Sequence, residues 1–168
     1  MIPLARRPLD LFLVVASLGF AASTFTVDLW AVTGRIHGGD ALAEALRGYT
    51  STADPLFGEM PAPLWVLMFL SLVCFGPMDL VVAYALWRQR EWIRAPGTFF
   101  AGMQFAAMAT YFGLEIVGEP HPLSWPTVIA ANAAYLLVPL VLAWRLARPI
   151  GGAGRGGPVP TREVDRRG

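Results

Sequence analysis

The sequence predicts an all-α membrane protein, a bundle of four transmembrane helices with both termini on the cytoplasmic side. Three observations carry this prediction. Four stretches, residues 8–33, 62–87, 97–117 and 127–147, are predominantly apolar, and each reaches the roughly 20 residues a helix needs to cross the hydrocarbon core. Arg6, Arg7, Arg88, Arg90, Arg94, Arg145 and Arg148 stand at alternate ends of these stretches, and only Arg35 and Arg47 fall in the opposite loops. The positive-inside rule then puts both termini and the Arg88 to Arg94 loop in the cytoplasm, which requires an even number of spans. Finally, Trp30, Trp65, Trp87, Trp92, Trp125 and Trp144 all fall at predicted helix ends, where an indole prefers the membrane interface.

The first span, Pro8 to Thr33, competes with a cleaved signal peptide, since Arg6 and Arg7 precede an apolar run with small residues at Ala21 to Ser23. The apolar stretch runs on to Val32, however, and its loss would leave an odd number of spans. The outer loop, Gly34 to Pro61, contains "GDALAEALRGYT". Asp40 can cap a short amphipathic helix there, with Leu42, Ala45 and Leu46 on one face, laid over the outer mouth of the bundle. Pro77 in the second span and Pro139 in the fourth remove backbone donors and should kink their helices. Gly102, Ala106, Ala107, Ala130, Ala131, Ala133 and Ala134 permit close helix approach. A homodimer is left open. The membrane domain is expected over residues 1–148, with residues 149–168 a disordered cytoplasmic tail too poor in apolar residues to fold.

Composition narrows the function. At 55% hydrophobic residues and a mean hydropathy of +0.52, the chain lies outside the usual range of soluble domains. A formal net charge of +1 gives no basis for nucleic-acid binding, and the arginine excess follows from topology. Cys74 is the single cysteine, so neither an intrachain disulfide nor a cysteine-based metal site can form. No glycine-rich phosphate loop is present, and no metal or cofactor is expected. Lysine is absent while Ala, Gly, Pro and Arg abound, a GC-rich pattern that points to a bacterial cytoplasmic membrane.

The polar residues inside the spans carry the chemistry. Counting about 1.5 Å per residue puts Asp28 and Glu115 toward the outer side, with Asn132 and Met68 at similar depth. Thr24 and Asp28 share one helical face, Gln104, Met108, Tyr111 and Glu115 a second, and Asn132, Tyr135 and Pro139 a third. Ionisable groups in spans face the bundle interior or a wet cavity. An outward-opening cavity with two carboxylates, an amide and aromatic rings results, unless Asp28 and Glu115 merely end their helices at a hydrated interface. Asp79 lies deeper, just after Gly76 and Pro77, and a structural hydrogen bond to Gln104 is expected. His37 and His121 fall in loops. That excludes a haem carrier, which would need paired histidines within the spans. Asp79 alone keeps a proton-coupled exporter in view.

The segments "TFTVDLWAV", "ADPLF", "FGPMDLVVAYAL", "EWIRAP" and "AAYLLVPLVL" together resemble the EXPERA family, the four-helix membrane fold shared by the sigma-2 receptor and the emopamil-binding sterol isomerase. The resemblance covers Leu9 to Arg148. It implies a cavity for flat, apolar, sterol-like molecules, with Asp28 and Asp54 matching the acidic pair of the sigma-2 type and Asp28 contacting cationic amines. For Asp54, which precedes Pro55, simple turn formation is the competing reading. Gln104, Tyr111, Phe112, Glu115, His121, Pro122, Leu123, Asn132, Tyr135 and Pro139 are similar to a run in the isomerase. Its first-span histidine and glutamate are replaced here by Thr24 and Asp28, its second-span catalytic glutamate falls on Met68, and the sigma-2 type's second-span glutamate falls on Ser71.

The expected function is therefore an intramembrane pocket for a sterol-like or terpenoid amphiphile, apolar or cationic. Its wall would be formed by Thr24, Asp28, Asp54, Met68, Gln104, Tyr111, Glu115, Asn132 and Tyr135. The alternative is a sterol or terpenoid double-bond isomerase in which Asp28 and Glu115 act as acid and base on opposite faces of the ring. Tyr111 and Tyr135 could offer their rings to a cationic intermediate.

Overall fold

A computed structural model describes residues 3–35 and 38–150, so His37 and most of the 149–168 tail lie outside the described residues. Four helices are long and apolar enough to cross a membrane: α1 (Pro8–Val32), α4 (Ala62–Trp87), α5 (Glu91–Val117) and α6 (Trp125–Leu146). Two short helices, α2 (Ala41–Thr52) and α3 (Pro55–Glu59), lie between the first and second spans. The chain is an integral multi-pass membrane protein. Only 22–39% of each apolar window is buried inside the protein, and side chains such as Phe99, Ile116, Val117 and Leu137 are exposed. In water such a surface would aggregate, whereas in lipid it is the matching face.

Local signals start and stop the helices. Proline occupies the first turn of α1 and α3, where the missing N–H breaks no helical bond. Asp40 accepts from the Ala43 N–H at 2.9 Å and caps α2, and Asp54 accepts from the Phe57 N–H at 2.8 Å and caps α3. Met60 ends α3 in the left-handed region at φ 48°. Pro77 and Pro139 do not break their helices. Pro77 stands two residues beyond a π-helical segment, Ser71–Phe75, and α1 carries a matching segment, Thr24–Asp28. Such segments widen a helix by one residue per turn, and no composition signal announced either of them.

The two π segments lie against each other. Thr24 Oγ1 and Ser71 Oγ are 3.2 Å apart, and a Cβ at Gly76 would stand 2.8 Å from Thr24 Cγ2. A larger residue at Gly76 would push α1 and α4 apart at this point. Along their lengths α1 packs on α4 and α5 on α6, while contact between the two pairs is sparser.

One apolar cluster, including Leu13, Phe20, Val82, Leu86, Phe100 and Leu142, fills the half of the bundle nearer the termini. A second, built on Leu56, Phe57, Leu64, Tyr111 and Val128, fills the half under α2 and α3.

Arginines lock the terminal end. Arg7 donates to the Leu86 and Trp87 carbonyls that end α4, and Arg94 to the Leu146 and Ala147 carbonyls that end α6. Asp10, 2% exposed, joins the bundle by accepting from Arg7 at 2.8 Å and from Arg145 Nε at 2.5 Å. Sequence reading assigned these arginines to topology and passed over Asp10, which resembles an ordinary first-turn acid.

Candidate functional site

The cavity lies within the bundle, lined from both apolar clusters, and has a volume of about 320 Å³. That is at the small end of the range for small-molecule sites. Val27, Leu46, Leu67, Met68, Ala107 and Met108 form apolar wall. Thioether and branched side chains suit an apolar guest of irregular outline. Helix α2 closes the loop end, presenting Leu46 and Tyr49 to the cavity, whereas Ala45, expected on the face of Leu46, is exposed.

Polar groups punctuate this wall. Asp28 sits in the α1 π segment beside the Ser71 and Thr24 hydroxyls and forms no ion pair among the described residues. Asn132 donates its amide N–H to the Val128 carbonyl at 2.9 Å and borders the cavity. Tyr135 stacks on Phe20 with ring centroids 4.4 Å apart, which stiffens the wall at that height. No arginine, lysine or histidine lines the cavity among the described residues.

Asp54 is a fully engaged anchor. It is 0% exposed and accepts from the Phe57 N–H, from Tyr49 Oη at 3.3 Å and from Tyr111 Oη. The choice between turn former and site residue dissolves, since the same carboxylate caps α3 and borders the cavity. Burial, reinforced by the Asp54 carboxylate, pushes the Tyr49 hydroxyl up to about 12. Tyr49 therefore remains a donor throughout the physiological range. The phenolate band of Tyr49 is expected to appear only near pH 12 in a spectrophotometric titration that uses Tyr49→Phe as the blank. Because the folded value lies above the ordinary value of about 10, the associated stability is present in full below that value. It is lost as pH rises toward 12. A Tyr49 transition at the ordinary value would mean that the α2 cover is open in solution.

Of the residues expected at the site, Asp28, Asp54, Met68, Gln104, Tyr111, Asn132 and Tyr135 border the cavity, and Thr24 and Glu115 do not. Thr24 is buried in the contact between α1 and α4, where its hydroxyl meets Ser71. Glu115 is 0% exposed, with Asp54 and Tyr111 as its polar neighbours, and among the described residues no donor meets hydrogen-bond geometry at either carboxylate oxygen. Asp79 does accept from Gln104, at 3.1 Å, and His121 is an exposed loop residue.

Sequence reading missed Tyr49 and assigned Ser71 no role. Tyr49 continues the Leu42 and Leu46 stripe one turn further, a signal that would have found it. For Ser71 there was no local signal, since its place beside Asp28 depends on how two helices pack.

A family model described as EXPERA (EXPanded EBP superfamily) matches residues 41–146. No curated protein matches the chain, and no solved structure matches it. The matched segment carries α2 to α6 and every cavity residue except those of α1, Asp28 among them. With four spans, a loop cover on one end and an intervening cavity, the chain belongs to the EXPERA superfamily.

Proposed function

We propose that the protein binds, inside its bundle, a sterol-like or terpenoid amphiphile that bears a cationic or hydrogen-donating group, with Asp28 as its partner. One observation carries the reading. The cavity is walled by apolar side chains and, among the described residues, contains an acidic residue that has no cationic partner and has no basic residue on its surface. A carboxylic acid or phosphate would find repulsion there, whereas an amine would find the missing countercharge. Asp54 is already occupied by three donors, so Asp28 is the carboxylate left for a ligand. The termini and the arginine-bearing loop face the cytoplasm in this reading, and the cavity lies toward the opposite leaflet.

An isomerase needs an acid and a base that both reach the substrate. Glu115 is not on the cavity wall, so binding without turnover is the better-supported reading.

Native mass spectrometry and lipid extraction of detergent-purified protein test it. A sterol or terpenoid amine is expected to co-purify with the wild type. Its affinity should fall about 10- to 100-fold in Asp28→Asn, the scale of one charge-assisted hydrogen bond. Equal retention by the two proteins would remove Asp28 from the site.

A further inference from the structure

The inner end of the cavity holds a second polar station. Gln104, on α5, borders the cavity, and its amide nitrogen donates to Asp79 Oδ2 on α4 at 3.1 Å. Asp79 is only 2% exposed and does not itself border the cavity. Its hydrogen bond turns the Gln104 NH2 group toward α4 and leaves the amide carbonyl oxygen on the other side. No side chain or backbone group among the described residues donates to that oxygen. Asp79 lies eight residues beyond Ser71 on α4, and Ser71 stands beside Asp28. The two stations are therefore roughly two helical turns apart along the bundle axis. Met68, Leu67, Ala107 and Met108 supply apolar wall within the same cavity.

We propose that Gln104 is a specificity-determining hydrogen-bond acceptor and that Asp79 is the positioning residue that fixes its amide. The ligand then carries a donor, a hydroxyl or an ammonium, at the end remote from the group paired with Asp28. This rests on the reading of the cavity as a binding site for an amphiphilic amine and adds a second polar end to that ligand. Fixing the amide matters because a free glutamine offers donor and acceptor equally, and a held one offers a single sign. A ligand with an apolar or acceptor-only far end would leave an unpaired polar atom at the cavity floor, which costs affinity.

The test uses the full chain in detergent and three probes of one length, each with twelve non-hydrogen atoms in its chain: undecylamine, 10-aminodecan-1-ol and 9-methoxynonan-1-amine. Affinities come from native mass spectrometry titrations. The amino alcohol is expected to bind wild type about tenfold more tightly than the methyl ether. That ratio should fall to about one in Gln104→Leu and in the near-isosteric Gln104→Met. In Asp79→Asn it should shrink or invert, because an asparagine can hold the glutamine amide in either orientation. Asp28→Asn should weaken all three probes and leave the ratio unchanged. A merely structural role for Asp79 would lower every affinity alike without moving the ratio.

If the probes bind wild type but the ratio is about one, or survives in both Gln104 variants, the inference is overturned while the cavity reading stands. Should no probe bind wild type better than Asp28→Asn, the cavity reading fails and the inference with it.

Discussion

Asp54→Ala is expected to destabilise the protein by about 2–5 kcal/mol and to weaken binding of any cavity ligand, although Asp28 rather than Asp54 is the countercharge proposed for it. The size follows from what the carboxylate holds. The Phe57 N–H, Tyr49 Oη and Tyr111 Oη all donate to it in a fully buried setting. Alanine leaves donors without an acceptor at about 1–3 kcal/mol for each one that water cannot reach, and removes the cap of α3 at about 1 kcal/mol.

The three donors come from α2, α3 and α5, so the loop cover should loosen from the third span. Leu123 and Ser124, whose backbone N–H groups reach the Ala53 carbonyl at 2.9 and 3.3 Å, should loosen with it. Asp54→Asn keeps one oxygen acceptor and should fall between wild type and alanine. Thermal melts in detergent read the stability, and hydrogen exchange of α2 reads the local opening. An unchanged melt with a protected α2 would show that the three donors find other acceptors.

At the opposite end, Asp10→Ala should cost about 3–5 kcal/mol and leave the affinity of any cavity ligand nearly unchanged. Asp10 is buried between Arg7 and Arg145, which are themselves only 10% and 12% exposed. Removing the anion leaves two guanidinium groups with no countercharge at the contact of α1 with α6, and the Arg7 clamp on the end of α4 loses its support.

Arg145→Met should cost less, since Asp10 would keep Arg7. A double-mutant cycle between Asp10 and Arg145 is expected to show a coupling of about 1–3 kcal/mol. Additive effects would mean that the ion pair is solvated in the folded protein and contributes little. Because the cluster lies a full span from α2 and α3, a large loss of ligand affinity in a folded Asp10→Ala protein would contradict the placement of the cavity.

The chemistry of the cavity was largely legible as stripes on separate helices. Gln104, Met108 and Tyr111 share an α5 face and do border the cavity, as do Asn132 and Tyr135 of α6. Glu115 continues the α5 stripe by spacing, yet lies behind Asp54 and Tyr111. Helical period places a residue on a face but not in front of or behind a segment that packs over that face, and the cover contributed by Asp54 enters from another part of the chain. Thr24 departed for a related reason. The π segment and the small residue at Gly76 bring α4 so close that its hydroxyl is used between the helices.

By itself the sequence determined the number of spans and the all-helical class. Those follow from a solvent that accepts no unpaired backbone group and from the length needed to cross it. It also determined that carboxylates and amides would have to gather away from lipid.

Only the tertiary structure decided what each acid does. Asp10 is neutralised by arginines from 3 and 135 residues away, and Asp54 is taken up by tyrosines 5 and 57 residues away. Asp28 is left, among the described residues, without a cation on the wall of a cavity. A carboxylate's role is set by its partners, and those partners are brought to it by helix packing rather than by neighbours in the chain.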